Sequence, residues 1–170
     1  MRAVLVLCFF LVFSACHNSV SKKSITLLDS LSNRIQEDPF NISLLNERAM
    51  FYVQNNNLDS AKQDLDKAYS VFKNDESILL NRGDVYFMMN ETRVSKESWE
   101  RCLKVNPNNI QCRIKLTNLL CAVHDSNCKS MIDTVGLLND GIVPISLIVY
   151  LKELEEYDLA MYFLEKTIDH

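Results

Sequence analysis

The chain has 170 residues, 48% of them apolar and 24% charged, which is enough to bury a core and too apolar for a disordered tail. Three glycines and three prolines leave few positions for the tight turns of a hairpin-rich β-protein, so the composition predicts helices. The formal charge of -4 becomes -5 once Arg2 leaves with the leader described next; there is no basic stripe to neutralise phosphates, and nucleic acid is not an expected partner.

After Arg2 the run AVLVLCFFLVFSA, residues 3–15, is apolar for 13 residues and is followed by the polar segment HNSVSKKS. A bilayer-spanning helix needs roughly 20 residues, so the run reads as the hydrophobic stretch of a signal peptide. Phe13-Ser14-Ala15-Cys16 resembles the lipobox of bacterial lipoproteins, in which a peptidase cuts before a cysteine that then becomes acylated. Ser14 and Ala15 meet the need for small residues, while Phe13 stands where leucine is usual. The resemblance implies a diacylglycerol on the Cys16 sulfur, and several acyl chains together make such an attachment lasting. His17 follows the cysteine rather than an aspartate, which by the same resemblance implies an outer-membrane lipoprotein facing the periplasm. The expected divisions are a signal peptide at 1–15, a lipidated N-terminus and linker at 16–23, and a helical domain at 24–170.

Two stretches, NERAMFYVQNNNLDSAKQDLDKAYSV and LLNRGDVYFMMNETRVSKESWERCLKVNPNN, align without a gap at a spacing of 34. Ala49 falls on Gly83, Tyr52 on Tyr86, Ala61 on Ser95, Leu65 on Trp99 and Ala68 on Cys102, so small meets small and large meets large. The pattern resembles the tetratricopeptide repeat (TPR), a pair of antiparallel helices. Counted from Ile42, the first unit carries Leu45, Ala49, Tyr52, Ala61, Leu65 and Ala68 at the signature positions, with Lys73 where proline is expected. Counted from Glu76, the second carries Leu79, Gly83, Tyr86, Ser95, Trp99, Cys102 and Pro107. Small residues let the two backbones approach, and large ones fill the space between units. One unit cannot bury its own apolar face, so neighbours must stack.

The segment ITLLDSLSNRIQEDPFN, ahead of the first unit, reads as the second helix of a preceding half-unit. A third unit from Ile110 keeps Leu116 and Leu120, and its second helix fits one residue early, with Cys128, Ile132 and Val135 at the packing positions. A fourth keeps Leu151, Ala160 and Leu164 but has Pro144 at its fourth position. The resemblance implies an all-α fold: a right-handed α-solenoid of stacked antiparallel helix pairs, roughly four units long.

Candidate chemistry is sparse. His17, His124 and His170 are the histidines, and no Gly-rich phosphate loop, nucleophile elbow or paired-carboxylate motif occurs, so neither enzymatic activity nor a cofactor is expected. Besides Cys8 and Cys16 the chain has Cys102, Cys112, Cys121 and Cys128. Cys121-x2-His124-x3-Cys128 has spacings a zinc ion could use, but Cys112 would face the other side of the same helix, and no metal is expected. In an oxidising compartment Cys102 with Cys112, and Cys121 with Cys128, could close as disulfides across successive inter-helix turns; alternatively the four fill small packing positions. Asp29-Ser30-Leu31, Asp59-Ser60-Ala61 and Asp133-Thr134-Val135 resemble a bacterial O-glycosylation acceptor, though Asp59 and Ser60 suit the capping of a helix start.

Carrying the groove positions of the TPR onto this chain marks Met50, then Leu80, Asp84, Phe87 and Met88, then Ile114 and Asn118 as candidates for partner binding. No Lys or Arg occurs at these positions, so the basic clamp by which some TPR domains hold a carboxylate is absent. The apolar members form a soft strip unless a neighbouring helix covers them, with Asp84 able to orient a cationic or amide group. The resemblance implies a membrane-anchored periplasmic scaffold or adaptor for protein or peptide partners, in cell-envelope assembly or cell-wall enzyme complexes. The alternatives are a pilotin-like secretin assembly factor, or an enzyme or metal-binding protein using residues 110–140.

Overall fold

The computed structural model describes residues 27–168; the leader, Cys16, His17 and His170 lie outside them. Helical residues 27–37 (α1) are followed by α2 (Ile42–Gln54), α3 (Leu58–Val71), α4 (Glu76–Met88) and α5 (Thr92–Val105). Then come α6 (Ile110–Ala122), α7 (Cys128–Leu138), α8 (Ile145–Glu153) and α9 (Tyr157–Ile168). No strand occurs among the described residues, and none of their helices is long and apolar enough to cross a membrane.

The period of 34 is written into the backbone. The first helices of three successive pairs, α2, α4 and α6, start at 42, 76 and 110, and each has 13 residues. Each is opened by the same device: the side chains of Asn41, Asp75 and Asn109 accept from the N–H of Leu44, Ile78 and Cys112. Such a cap satisfies a donor that the first helical turn leaves without a partner. At the turn inside each pair a residue adopts the left-handed conformation: Asn56 (φ 56°), Asn90 (φ 62°) and His124 (φ 54°). The following N–H then reaches back to close the helix, Asn57 to Tyr52 O at 2.9 Å, Glu91 to Tyr86 O at 2.8 Å and Asp125 to Leu120 O at 2.9 Å. His124 is therefore a turn residue at the place where the earlier pairs use asparagine, a side chain that tolerates this conformation. Asn57 Oδ1 accepts from Ser60 N–H at 3.2 Å, so the start of α3 is capped by Asn57, and not by Asp59 or Ser60 as the sequence suggests.

The chain forms two compact units that divide between Ala68 and Tyr69. In the first, Leu31 and Ile35 of α1, Leu44, Leu45 and Ala49 of α2, and Ala61, Leu65 and Ala68 of α3 are buried. Arg48 clamps α2 to α3: its Nε and Nη2 donate to the two oxygens of Asp64, both at 2.7 Å. That bidentate bond raises the Arg48 pKa above its ordinary value.

In the second unit Arg82 and Ser98 occupy the places one repeat on, and Arg82 Nη1 donates to Ser98 Oγ at 2.8 Å. One repeat further, with the second helix one residue early, the places fall to Leu116, which is buried, and Met131, which is half-buried and packed against the cluster that holds Leu116. The same place thus runs from an ion pair through a hydrogen bond with one charged partner to apolar side chains. Two buried clusters form the core here, one around Leu79, Trp99, Leu116 and Leu120, the other around Ile132, Val135, Leu147, Leu151 and Phe163. In the last pair Phe163 is buried at the large packing position assigned to Leu164, which is half-buried. The reason is Gly136, where an added Cβ would come within 2.3 Å of Phe163 Cε1. Cys102–Cys112 is a disulfide joining α5 to α6 (Cα–Cα 6.4 Å), and Cys121–Cys128 is another joining α6 to α7 (Cα–Cα 4.8 Å). Helix α6 is fastened near both ends.

Candidate functional site

Of the candidate binding residues, Asp84, Phe87, Met88 and Asn118 line one pocket of about 300 Å³ in the second unit. Helix α4 supplies the first three, at a spacing that keeps them along one face, and α6 supplies Asn118. Lys115, Leu119 and Ala122 of α6, Tyr150 of α8 and Trp99 of α5 complete the lining. Phe87 and Met88 are 47% and 53% exposed, so they offer apolar surface at the pocket.

Trp99 forms the floor. It is 1% exposed, and its ring packs tilted against Phe87 at 5.8 Å between centroids. It lies over Gly83, where an added Cβ would meet Nε1 at 2.3 Å. Leu80 and Ile114 are half-buried and packed against the two core clusters, so they support the pocket instead of lining it. Met50 is half-buried on α2 in the first unit and is not among the lining residues.

The groove-register positions hold no Lys or Arg, but a cation enters the pocket from beside them. Lys115 sits one position outside the groove register, yet its long side chain reaches Asp84, with Nζ 3.0 Å from Oδ2. The other carboxylate oxygen, Asp84 Oδ1, is buried with no hydrogen-bond partner, as is Trp99 Nε1. Asn118 Nδ2 donates one of its two hydrogens to Ile114 O at 3.0 Å, and its carbonyl oxygen is an acceptor it can offer a ligand. The sequence signal that could have found Lys115 was its reach: a lysine one position off the groove register can still enter it through its four-carbon stem.

The metal spacing Cys121-x2-His124-x3-Cys128 is closed off chemically, since the two sulfurs are bonded to each other. Among the described residues no group of three or more histidine, cysteine or acidic side chains is placed to hold a metal ion. A larger hollow of about 460 Å³ lies between α7 and α9, walled by Gly136, Leu137, Tyr162, Phe163 and Lys166 among others, and contains none of the candidate binding residues.

Residues 42–75 match the family model of the tetratricopeptide repeat. The fold resembles the crystal structure of MamA, with 15% identity and a TM-score of 0.72 over 84% of this chain and 85% of that one. It also resembles YrrB, described as a TPR protein with an unusual peptide-binding site: 16% identity and a TM-score of 0.68 over 89% of this chain and 79% of that one. The first TPR of Spaghetti (RPAP3), bound to the HSP90 peptide SRMEEVD, is similar at 23% identity and a TM-score of 0.57, covering 61% of this chain and 82% of that one. No curated protein sequence matches the chain.

Proposed function

From a chain that carries a tetratricopeptide repeat and has the all-α fold of tetratricopeptide-repeat proteins, we infer a membrane-anchored scaffold that binds a peptide segment of a protein partner and performs no chemistry itself. The observation that carries this reading is the pocket built on Asp84, Phe87, Met88 and Asn118, which brings two exposed apolar side chains together with a buried carboxylate oxygen that has no hydrogen-bond partner. A concave apolar site with a few polar atoms is how a protein holds an extended or helical segment. The peptide described with the RPAP3 repeat and the peptide-binding site described for YrrB support the same reading.

The anchor is acylated Cys16, and the domain faces the periplasm from the outer membrane. Two disulfides fit an oxidising compartment and support that location. There the protein serves as an adaptor for cell-envelope assembly or for cell-wall enzymes. The test has two arms. A photo-reactive residue placed at Met88 crosslinks to a partner in intact cells while one at Lys96, on α5, does not; equal crosslinking from both positions overturns the pocket assignment. Cys16→Ser protein leaves the membrane fraction and loses its lipid label, and unchanged membrane association overturns the anchor.

A further inference from the structure

We propose that the pocket selects an uncharged N–H donor, the side-chain carboxamide of an Asn or Gln in the partner peptide, seated beside a large apolar residue. The proposal rests on the peptide-binding reading and specifies its chemistry.

Three observations carry it. First, Asp84 and Lys115 are the charged residues of the lining, and they are paired at 3.0 Å, so the polar end of the pocket has no net charge. Second, the pair leaves one acceptor unfilled, Asp84 Oδ1, and a buried carboxylate oxygen without a donor is costly. Rotation about χ2, a soft torsion in Asp, is enough to present that oxygen to a ligand. Third, Asn118 has committed one of its two amide hydrogens to Ile114 O, while its carbonyl oxygen is a second acceptor. Trp99 Nε1, the other such atom among the lining residues, lies on a side chain 1% exposed and pressed over Gly83, whereas Asp84 keeps a quarter of its side chain exposed and within reach.

Each class of ligand group can be weighed against this set. A Lys or Arg side chain would place a second cation beside Lys115 with one carboxylate to share, in a site of reduced dielectric. A carboxylate would meet the like charge of Asp84 with one cation to share between the two. A carboxamide brings an NH₂ for Asp84 Oδ1 or the Asn118 carbonyl, and its own oxygen can accept from one of the three ammonium hydrogens of Lys115. Phe87 and Met88 then cover the neighbouring apolar residue, and a volume of about 300 Å³ suits these two side chains.

The experiment is a selection of random peptides displayed on phage against the full chain in detergent micelles, with its disulfides intact. Winning peptides carry Asn or Gln next to a large apolar residue. Synthetic versions in which that carboxamide is replaced by Lys or Glu bind about tenfold more weakly, the size expected from one buried acceptor left unfilled. Lys115→Gln, a substitution at a partly exposed position whose folding is checked by its thermal midpoint, reverses the order so that the Lys version binds better than the carboxamide version. Winners with a charged residue at that place, or an order unchanged by Lys115→Gln, overturn the proposal while leaving peptide binding intact. A selection that yields no peptide sensitive to Phe87→Ala removes the groove reading itself, and this proposal with it.

Discussion

Gly83 and Trp99 offer a direct measure of how the second repeat is packed. Mid-helix, replacing glycine by alanine ordinarily stabilises by about 1 kcal/mol. At Gly83 the added Cβ would lie 2.3, 2.5 and 2.8 Å from Nε1, Cδ1 and Cε2 of a rigid, buried indole, so the ring or the helix must shift. Overpacking of this kind costs roughly 1–3 kcal/mol, and three contacts below 3 Å with a planar ring put it at the upper end. Gly83→Ala should therefore destabilise by about 1–2 kcal/mol net of the helix gain. The first repeat holds the compatible combination, Ala49 with Leu65, both fully buried. In a Trp99→Leu background the same Gly83→Ala change should become stabilising by about 1 kcal/mol, giving a coupling of about 2–3 kcal/mol in the double-mutant cycle. Urea unfolding followed by far-ultraviolet circular dichroism measures it, because Trp99 is the single tryptophan and fluorescence is lost in half of the cycle. If Gly83→Ala raises stability equally in both backgrounds, the indole does not press on the α4 backbone and the packing argument fails.

The Arg48–Asp64 pair invites a second cycle: Arg48→Leu alone strands a buried carboxylate and should cost about 3–5 kcal/mol, whereas Arg48→Leu with Asp64→Met imports the apolar residues of the third repeat and should come close to neutral in the same urea assay. Loop entropy for separations of 10 and 7 residues predicts about 2.5 kcal/mol from each disulfide; counting thiols in the unreduced, unfolded chain should detect none from Cys102, Cys112, Cys121 or Cys128, and Ser variants should lose that stability. Glu76 accepts from Asn109 Nδ2 and Asn106 Nδ2, which hold its pKa below the ordinary 4.5. A depressed carboxylate pKa stabilises above the ordinary value and loses that contribution as pH falls through the folded value, so Glu76→Gln should narrow the drop in thermal midpoint between neutral pH and about pH 3.

Much of the fold was legible because the repeat imposes its period on side chains that sequence inspection weighs easily. Ala49 on Gly83 and Leu65 on Trp99 are volume matches, and volume is what close-packed helices select. The periodic turn was equally present in the text, as Asn56, Asn90 and His124, but a histidine attracts attention as a ligand before it is counted as a residue with positive φ. Phe163 was assigned one position late because the exception depends on Gly136, a residue on another helix with no local mark of its role. The pocket was legible as a set of positions on α4 and α6, yet Lys115 escaped because register predicts where a Cβ points and not how far a flexible side chain reaches. Burial separated Leu80 and Ile114 from Phe87 and Met88, and burial depends on neighbours that a single helix does not specify.

The two disulfides cross successive connections of the chain, one spanning the turn between α5 and α6, the other the turn between α6 and α7. Exposed turns are where proteases cut first. A single nick at Pro107 or Asn108, or at Ser126 or Asn127, would break the backbone without releasing a fragment, because the severed ends stay tethered through sulfur. On a reducing gel such a molecule would run as two pieces and on a non-reducing gel as one. A chain built this way can be cut in its middle and still hold α4, α6 and α8 in one molecule.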